Sequence, residues 1–73
     1  MNHQIFQEMA DKWPSSIVAR TDVKAFSGGV LHPRTMANLD SAGNGCPGRF
    51  KIGKKTVYPV DELIKWLIEK AEK

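Results

Sequence analysis

The sequence has a single cysteine, Cys46, and only two histidines, His3 and His32, among its 73 residues. One cysteine excludes an internal disulfide bond. The histidines and carboxylates lack the spacing of a four-ligand zinc site, so we expect no metal or other cofactor. No segment approaches the roughly 20 apolar residues of a membrane span, and the first 13 residues lack the pattern of a signal peptide. These absences predict a cytoplasmic protein that does not enter a membrane.

Catalytic patterns are also missing. The sequence contains no nucleophile-and-base pairing and no glycine-rich phosphate loop. Asp61 and Glu62 form a carboxylate pair, but their place in the first turn of a predicted helix accounts for them, because negative charge is favoured there. A chain of this length buries only about 60% of its unfolded surface, which leaves little room for a substrate pocket. We therefore expect a binding protein and not an enzyme.

The positive charge is concentrated in the middle of the chain. The net charge is +3, and the segments 1–29 and 61–73 are close to neutral. Between residues 30 and 60 the single acidic residue, Asp40, faces five basic ones: Arg34, Arg49, Lys51, Lys54 and Lys55. A basic patch on a small domain is typical of proteins that bind polyanions. A lysine-rich surface without a ligand is the alternative, and charge alone does not decide between them.

Apolar spacing and turn residues predict a small α+β domain. A first helix over about residues 3–12 carries an apolar stripe, and a short strand follows at 17–20. A one-turn helix at 22–26 would be capped by Thr21 or Asp22. A glycine turn leads to a helix at 33–42, with His32 at its cap and Pro33 in its first position.

The loop at 44–48 contains Cys46, which we expect to be incidental there. A hairpin at 49–58 turns at Gly53 and Lys54 in the type II′ arrangement. The last helix begins near Pro59 and buries Val60, Leu63, Ile64 and Leu67.

The helix at 33–42 has two different faces. Met36, Leu39 and Ala42 can pack on the core, whereas the other face presents Arg34, Ala37, Asn38 and Ser41. Arginine can fork onto guanine and asparagine onto adenine in the DNA major groove, and small neighbours permit close approach. Every soluble helix has a polar face, so this pattern alone does not establish DNA binding. It gains weight because a basic hairpin follows directly.

The hairpin alternates basic and apolar residues. Alternation predicts Phe50, Ile52 and Val57 on the inner face. It places Arg49, Lys51, Thr56 and Tyr58 outward, with Lys54 at the tip. Lysine at an exposed strand edge also discourages strand pairing. We favour phosphate binding because Arg49 and Lys51 extend the basic surface of Lys54 and Lys55.

Two segments carry a family resemblance. Residues 31–43 read Leu-His-Pro-Arg-Thr-Met and, after two residues, Leu-Asp-Ser-Ala-Gly. They resemble the recognition helix of the MerR-like superfamily. Residues 49–67, with an Ile-Gly-Lys-Lys turn and a closing Trp-Leu, are similar to the wing and last helix of its excisionase-type members. The resemblance implies a small winged helix-turn-helix at residues 15–73, with an extra N-terminal helix at 1–14. It also implies that Leu39 and Trp66 lie in the core; Trp13 remains open between the core and base stacking.

The resemblance further implies a function in duplex DNA binding. It implies DNA contacts for Arg34, Thr35, Asn38, Lys54 and Lys55. The polar face of the helix and the basic hairpin add Ser41, Arg49 and Lys51 to the expected contact residues. The implied role is that of an excisionase, a recombination directionality factor of a prophage or mobile element, associated with the nucleoid in the cytoplasm. An integrase or recombinase, and further copies bound cooperatively on DNA, would be its partners. The segment 42–48 is longer and richer in glycine than is usual in the family. The chain also stops at Lys73, where the family's regulators continue, and this length suits the excisionase-like members better.

Two alternatives remain. A small transcriptional regulator would bind DNA in the same way. An anti-repressor or adaptor would instead use the basic surface to bind an acidic protein partner. The feature that favours this alternative is the apolar stripe of the first helix, made by Ile5, Phe6, Met9 and Trp13. Covering the small core is the simpler explanation of that stripe.

Overall fold

The computed structural model describes residues 4–71, and over this range the chain forms the expected α+β fold. Four α-helices accompany one three-stranded antiparallel sheet. In chain order the elements are α1 (Gln4–Lys12), β1 (Ile17–Ala19), a 3-10 turn (Arg20–Asp22), α2 (Val23–Phe26), α3 (Pro33–Ser41), β2 (Phe50–Ile52), β3 (Lys55–Pro59) and α4 (Val60–Ala71). His3 and Lys73, which the sequence placed at the ends of the first and last helices, lie outside the described residues. Across residues 4–71, no helix has the length and apolar character needed to cross a bilayer.

The predicted side-chain cap of α2 is absent, whereas His32 occupies the cap position of α3 as expected. Asp22 precedes α2 without a side-chain cap hydrogen bond. The chain enters α2 from a 3-10 turn in which Val23 N–H donates to the Arg20 carbonyl. His32 stands at the N-cap of α3, also without a side-chain bond. Its carbonyl accepts the Met36 N–H at 3.0 Å. Both helices therefore begin on backbone contacts alone.

A buried serine and two glycines join α2 to α3. Gly28 and Gly29 have φ values of +68° and +93°, which glycine adopts without steric cost. The Ser27 hydroxyl donates to the Val23 carbonyl at 2.7 Å and accepts from the Leu31 N–H at 2.8 Å. This side chain therefore satisfies the backbone at both ends of the turn, a role that the sequence did not indicate.

The sheet has the order β1-β3-β2, with β3 in the centre. Phe50 pairs with Val57, and Ile52 pairs with Lys55, so the hairpin turns through two residues as expected. Gly53 has a φ of +63°, and no described non-glycine residue has a positive φ. That combination excludes a type I′ turn and agrees with the expected type II′ turn.

The hairpin residues share faces as predicted, and Val57 is buried as expected, but the predicted burial of Phe50, Ile52 and Tyr58 is wrong. Phe50 and Ile52 are 45% and 55% exposed, whereas Tyr58, expected to face outward, is fully buried. Val57 and Tyr58 are neighbours in β3 and point to opposite faces, yet both are buried. The central strand is therefore covered on both sides, while β2, at the edge of the sheet, extends beyond the core.

Helix α4 supplies much of the core. Val60, Leu63, Trp66 and Leu67 are buried there, and Ile64 is partly buried against them, as the apolar spacing predicted. Lys70 Nζ lies 5.4 Å from the centre of the Trp66 ring.

Helix α1 covers one side of the core. Phe6, Met9, Ala10 and Trp13 pack against the buried cluster. The Trp13 ring meets Phe26 edge-on at 5.4 Å, and its Nε1 donates to the Ile17 carbonyl at 2.8 Å. The indole of Trp13 therefore packs on the core, one of the two places that the sequence analysis left open for it. Ile5 remains exposed.

Candidate functional site

Helix α3 is nine residues long and packs on the core along one face. Met36 is its one fully buried side chain, and Leu39 is partly buried. Ala42, expected on the core side, is exposed. It is the C-cap residue, so the chain has already begun to turn away there. Gly43 then takes a φ of +80°, and Asn44 N–H bonds back to the Leu39 carbonyl at 2.9 Å, which closes the helix.

The outer face of α3 carries four exposed polar residues, Arg34, Thr35, Asn38 and Ser41. Within residues 4–71, none of these side chains forms a hydrogen bond or ion pair. Ala37, between them, is partly buried. The helix residues that the sequence analysis proposed for DNA contact therefore lie together on one exposed face of α3. The polar groups of their side chains are not needed to hold the fold together.

The hairpin lysines are exposed on both faces of the sheet. Lys51 pairs with Thr56, so it shares a face with Tyr58. Because Tyr58 reaches Asp40 on α3, Lys51 lies on the α3 side of the sheet. Lys55 lies on the opposite face, opposite Ile52, and Lys54 occupies the turn. No hydrogen bond or ion pair within the described part of the chain holds these three lysines.

Arg49 differs from those lysines. Its Nη1 and Nη2 donate to the carbonyls of Cys46 and Asp40, each at 3.3 Å, and its Nε lies 3.6 Å from Asp40 Oδ1. The guanidinium thus rests against the end of α3 while the side chain remains 38% exposed. Its expected contact with DNA stays a prediction. In this structure the Arg49 side chain connects the end of α3 to the loop that precedes β2.

Asp40 is the centre of a polar cluster that the sequence did not reveal. Its side chain is only 6% exposed. Oδ2 accepts from Arg20 Nη2 and from the Tyr58 hydroxyl, each at 2.7 Å, and Arg20 Nε donates to the Tyr58 oxygen at 3.0 Å. Together with Arg49, these residues form what we call the Asp40 clamp: Arg20, Asp40, Arg49 and Tyr58.

The environment shifts two pKa values in the clamp. Burial raises the pKa of Tyr58 to about 12, and the hydrogen bond to Asp40 adds to this rise. Contacts with Tyr58 and Asp40 raise the pKa of Arg20 despite partial burial. Arg20 therefore stays charged and the Tyr58 hydroxyl stays protonated at neutral pH. The clamp therefore places two guanidinium groups and one neutral donor around the side chain of Asp40.

One sequence signal could have pointed to the clamp. Asp40 is the single acidic residue between positions 30 and 60, and it lies in the last turn of a helix, where the dipole disfavours negative charge. A carboxylate at the C-terminal end of a helix is stabilised by a compensating cation nearby, so its presence predicts one. Nothing in the sequence indicates that Arg20, twenty positions earlier, supplies it.

The loop after α3 folds inward. Cys46, expected to be incidental, is fully buried in the core cluster, and burial raises the pKa of its thiol to about 11. Gly45 lies so close to Asp40 that a Cβ at this position would overlap the carboxylate and lie 2.9 Å from Asp40 Cα. The absence of a side chain at Gly45 thus lets the loop close over the clamp and carry Cys46 into the core.

An open groove separates α1 from α2. It has a volume of about 420 Å³ and is lined mainly by Ile5, Met9, Trp13 and Phe26. Among the described residues, no group of three or more His, Cys, Asp or Glu side chains could hold a metal ion.

Comparison with known proteins found no matching family model, no similar curated protein and no similar solved structure.

Proposed function

We propose that this protein binds duplex DNA, with α3 as the recognition helix and the β2–β3 hairpin as the wing of a winged helix-turn-helix. One observation carries the proposal: α3 and the hairpin expose Arg34, Asn38, Lys51, Lys54 and Lys55, and no contact within residues 4–71 engages the polar groups of their side chains. Arg20 and Arg49, in contrast, are held in the Asp40 clamp. The free cations lie on two elements that follow one another in the chain, α3 and the hairpin.

Helix α3 would read bases in the major groove. Arg34, in its first turn, has the fork of donors that matches guanine O6 and N7, and Asn38 has the donor and acceptor that match adenine. Both lie on the outer face, where the small residues Ala37 and Ser41 permit close approach. Each such base contact contributes about 1–3 kcal/mol of discrimination.

The hairpin would bind the backbone. Lys54 in the turn and Lys55 beside it are charges without a protein partner among the described residues, so phosphates can replace their counterions. Lys51, on the α3 side of the sheet, would face the same duplex as α3. Contacts of this kind add affinity without sequence preference and weaken as salt rises.

The biological role within this proposal comes from the sequence resemblance. It favours an excisionase of a prophage or mobile element, acting at the nucleoid with a recombinase and with further copies of itself. A small transcriptional regulator would use the same surface.

The test is duplex binding measured across a range of salt concentrations. We expect the logarithm of the affinity of the wild type to fall linearly with the logarithm of salt, by about 0.9 for each phosphate contacted. Lys54→Ala/Lys55→Ala should reduce that slope by roughly two contacts on every sequence. Asn38→Ala should weaken the binding free energy by about 1–3 kcal/mol on a duplex selected for tight binding by the wild type. It should change binding to a random duplex very little.

The matched control is Lys12→Ala/Lys65→Ala, which removes the same charge from α1 and α4. If the control weakens binding as much as the hairpin variant does, net charge and not the proposed surface is responsible. Wild-type binding that is insensitive to salt would reject the proposal.

The alternative of a protein adaptor is favoured by the apolar groove and the exposed Ile5 beside it. An adaptor that binds an acidic partner through this groove and the basic surface would lose its partner on Ile5→Ser as well as on Lys54→Ala/Lys55→Ala. DNA binding predicts a loss on the hairpin variant and none on Ile5→Ser.

A further inference from the structure

We propose that the Asp40 clamp sets the angle between α3 and the hairpin, so that Asp40 and Tyr58 are positioning residues for DNA recognition although both are buried. The inference rests on the proposed function. It identifies what makes the recognition helix and the wing act on one duplex together.

Apolar packing alone holds α3 weakly. Met36 is its one fully buried side chain, with Leu39 partly buried beside it. With one fully buried side chain, the direction of α3 depends strongly on its other contacts. Polar contacts at its C-terminal end therefore have a large influence on its direction.

The clamp attaches that end to three other parts of the fold. Arg20 follows β1, Tyr58 lies in β3 and Arg49 directly precedes β2. All three reach Asp40. Asp40 thus connects the last turn of α3 to both strands of the hairpin and to the remaining strand of the sheet.

The geometry of these contacts resists rotation. The two bonds to Oδ2 are short, at 2.7 Å, and the Arg20–Tyr58 bond closes a triangle of donors and acceptors. Short charge-assisted bonds are strongly directional. Oδ1 is buried and has no hydrogen bond within the described residues, so Arg49 Nε at 3.6 Å is the cation that compensates it. Turning α3 would lengthen the bonds to Oδ2 and expose a carboxylate that the loop at Gly45 now covers.

The functional consequence is preorganisation. Arg34 and Asn38 can enter a groove while Lys54 and Lys55 contact phosphates only if α3 and the hairpin keep one relative direction. A preset direction avoids the cost of ordering them on binding. Loosening the clamp should therefore uncouple the hairpin from the helix.

The experiment uses Tyr58→Phe, which removes one hydroxyl and keeps the ring in the core, and Asp40→Asn as a second variant. Leu67→Val, in α4 and remote from the clamp, controls for a modest loss of packing. Far-UV circular dichroism establishes the temperature at which each protein is folded. Residual dipolar couplings of backbone amides then give the direction of α3 relative to the sheet, and duplex affinity is measured with and without Lys54→Ala/Lys55→Ala.

In both clamp variants we expect the dipolar couplings of α3 to report a changed or averaged direction. The couplings of the sheet and of α4 should be the same as in the wild type. We expect affinity for a selected duplex to fall by about 5- to 30-fold. The loss caused by Lys54→Ala/Lys55→Ala should be smaller in Tyr58→Phe than in the wild type, which is the coupling that a double-mutant cycle measures. Leu67→Val should show neither effect.

Unchanged couplings in α3 would overturn the inference, as would additive effects of the clamp and hairpin variants. Either result, with salt-dependent binding by the wild type, leaves DNA binding standing and removes only the positioning role. A wild type without salt-dependent binding rejects the proposed function and this inference together.

Discussion

The hydroxyl of Tyr58 donates a 2.7 Å hydrogen bond to Asp40 Oδ2 and so joins the central strand of the sheet to the last turn of α3. Both side chains are almost completely buried, and the bond spans 18 positions of sequence. It is a contact between the scaffold and the element that we propose reads DNA.

The stability conferred by this bond can be measured. Tyr58→Phe should lower the free energy of unfolding by about 1–3 kcal/mol, because the bond is made to a charged group and leaves Asp40 with one donor fewer. Urea unfolding should show a lower midpoint with an unchanged m-value. No shift of the midpoint would mean that the hydroxyl is equally well solvated in the unfolded chain.

The same variant predicts a dependence on pH. Folding raises the pKa of Tyr58 from 10.0 to about 12. Its contribution is therefore complete below pH 10 and is lost as the pH rises through about 12, since the unfolded chain releases the proton more readily. The stability difference between wild type and Tyr58→Phe should narrow over this range. A difference that stays constant would show that the hydroxyl is not buried as described.

Gly45 should not tolerate a side chain. In Gly45→Ala the new Cβ would overlap the Asp40 carboxylate, and relieving that overlap costs typically 1–3 kcal/mol, about the range for overpacking. The control is Asn44→Ala at the exposed neighbouring position, which should change stability by less than about 0.5 kcal/mol. Thermal unfolding compares the two, and equal small effects would contradict the close approach of loop and helix.

Cys46 should be protected from alkylation. Its thiol is fully buried, and the pKa of about 11 keeps it protonated at neutral pH. Since the thiolate is the reactive form, iodoacetamide should modify the native protein only through opening. The rate should be at least about a hundredfold lower than in guanidinium chloride, given a stability of roughly 3–5 kcal/mol. Similar rates in both conditions would place Cys46 at the surface.

Two hairpin positions should respond differently to truncation. Ile52→Thr keeps a β-branched residue at an exposed site and should cost less than about 0.5 kcal/mol. Val57→Ala removes buried methyl groups and should cost about 1–3 kcal/mol. Chemical unfolding distinguishes the two. Equal losses of unfolding free energy would mean that Ile52 is buried on the inner face of the hairpin.

Much of the local structure followed from the sequence. The i, i+3, i+4 spacing at Val60, Leu63 and Ile64 predicted α4, and glycine at position 53 predicted the hairpin and its register, because these signals act between residues close together in the chain. The outer face of α3 was likewise readable from helical periodicity.

The burial of the hairpin was not readable in this way. Alternation correctly placed Phe50 and Val57 on one face of the sheet, but it could not show that β3 is central and β2 is at the edge. An apolar side chain is buried only where another layer covers it, and that cover comes from helices remote in sequence. For this reason Phe50 is exposed and Tyr58 is not.

The sequence by itself therefore determined the order of helices and strands, the turn at Gly53 and the free polar face of α3, all of which depend on short-range sterics and periodicity. Only the tertiary structure decided that Arg20, Asp40, Arg49 and Tyr58 meet, that Arg49 contacts the end of α3, and that Cys46 is buried. Those facts depend on charges and a small residue brought together across the fold, and no local pattern encodes a distance between residues twenty positions apart.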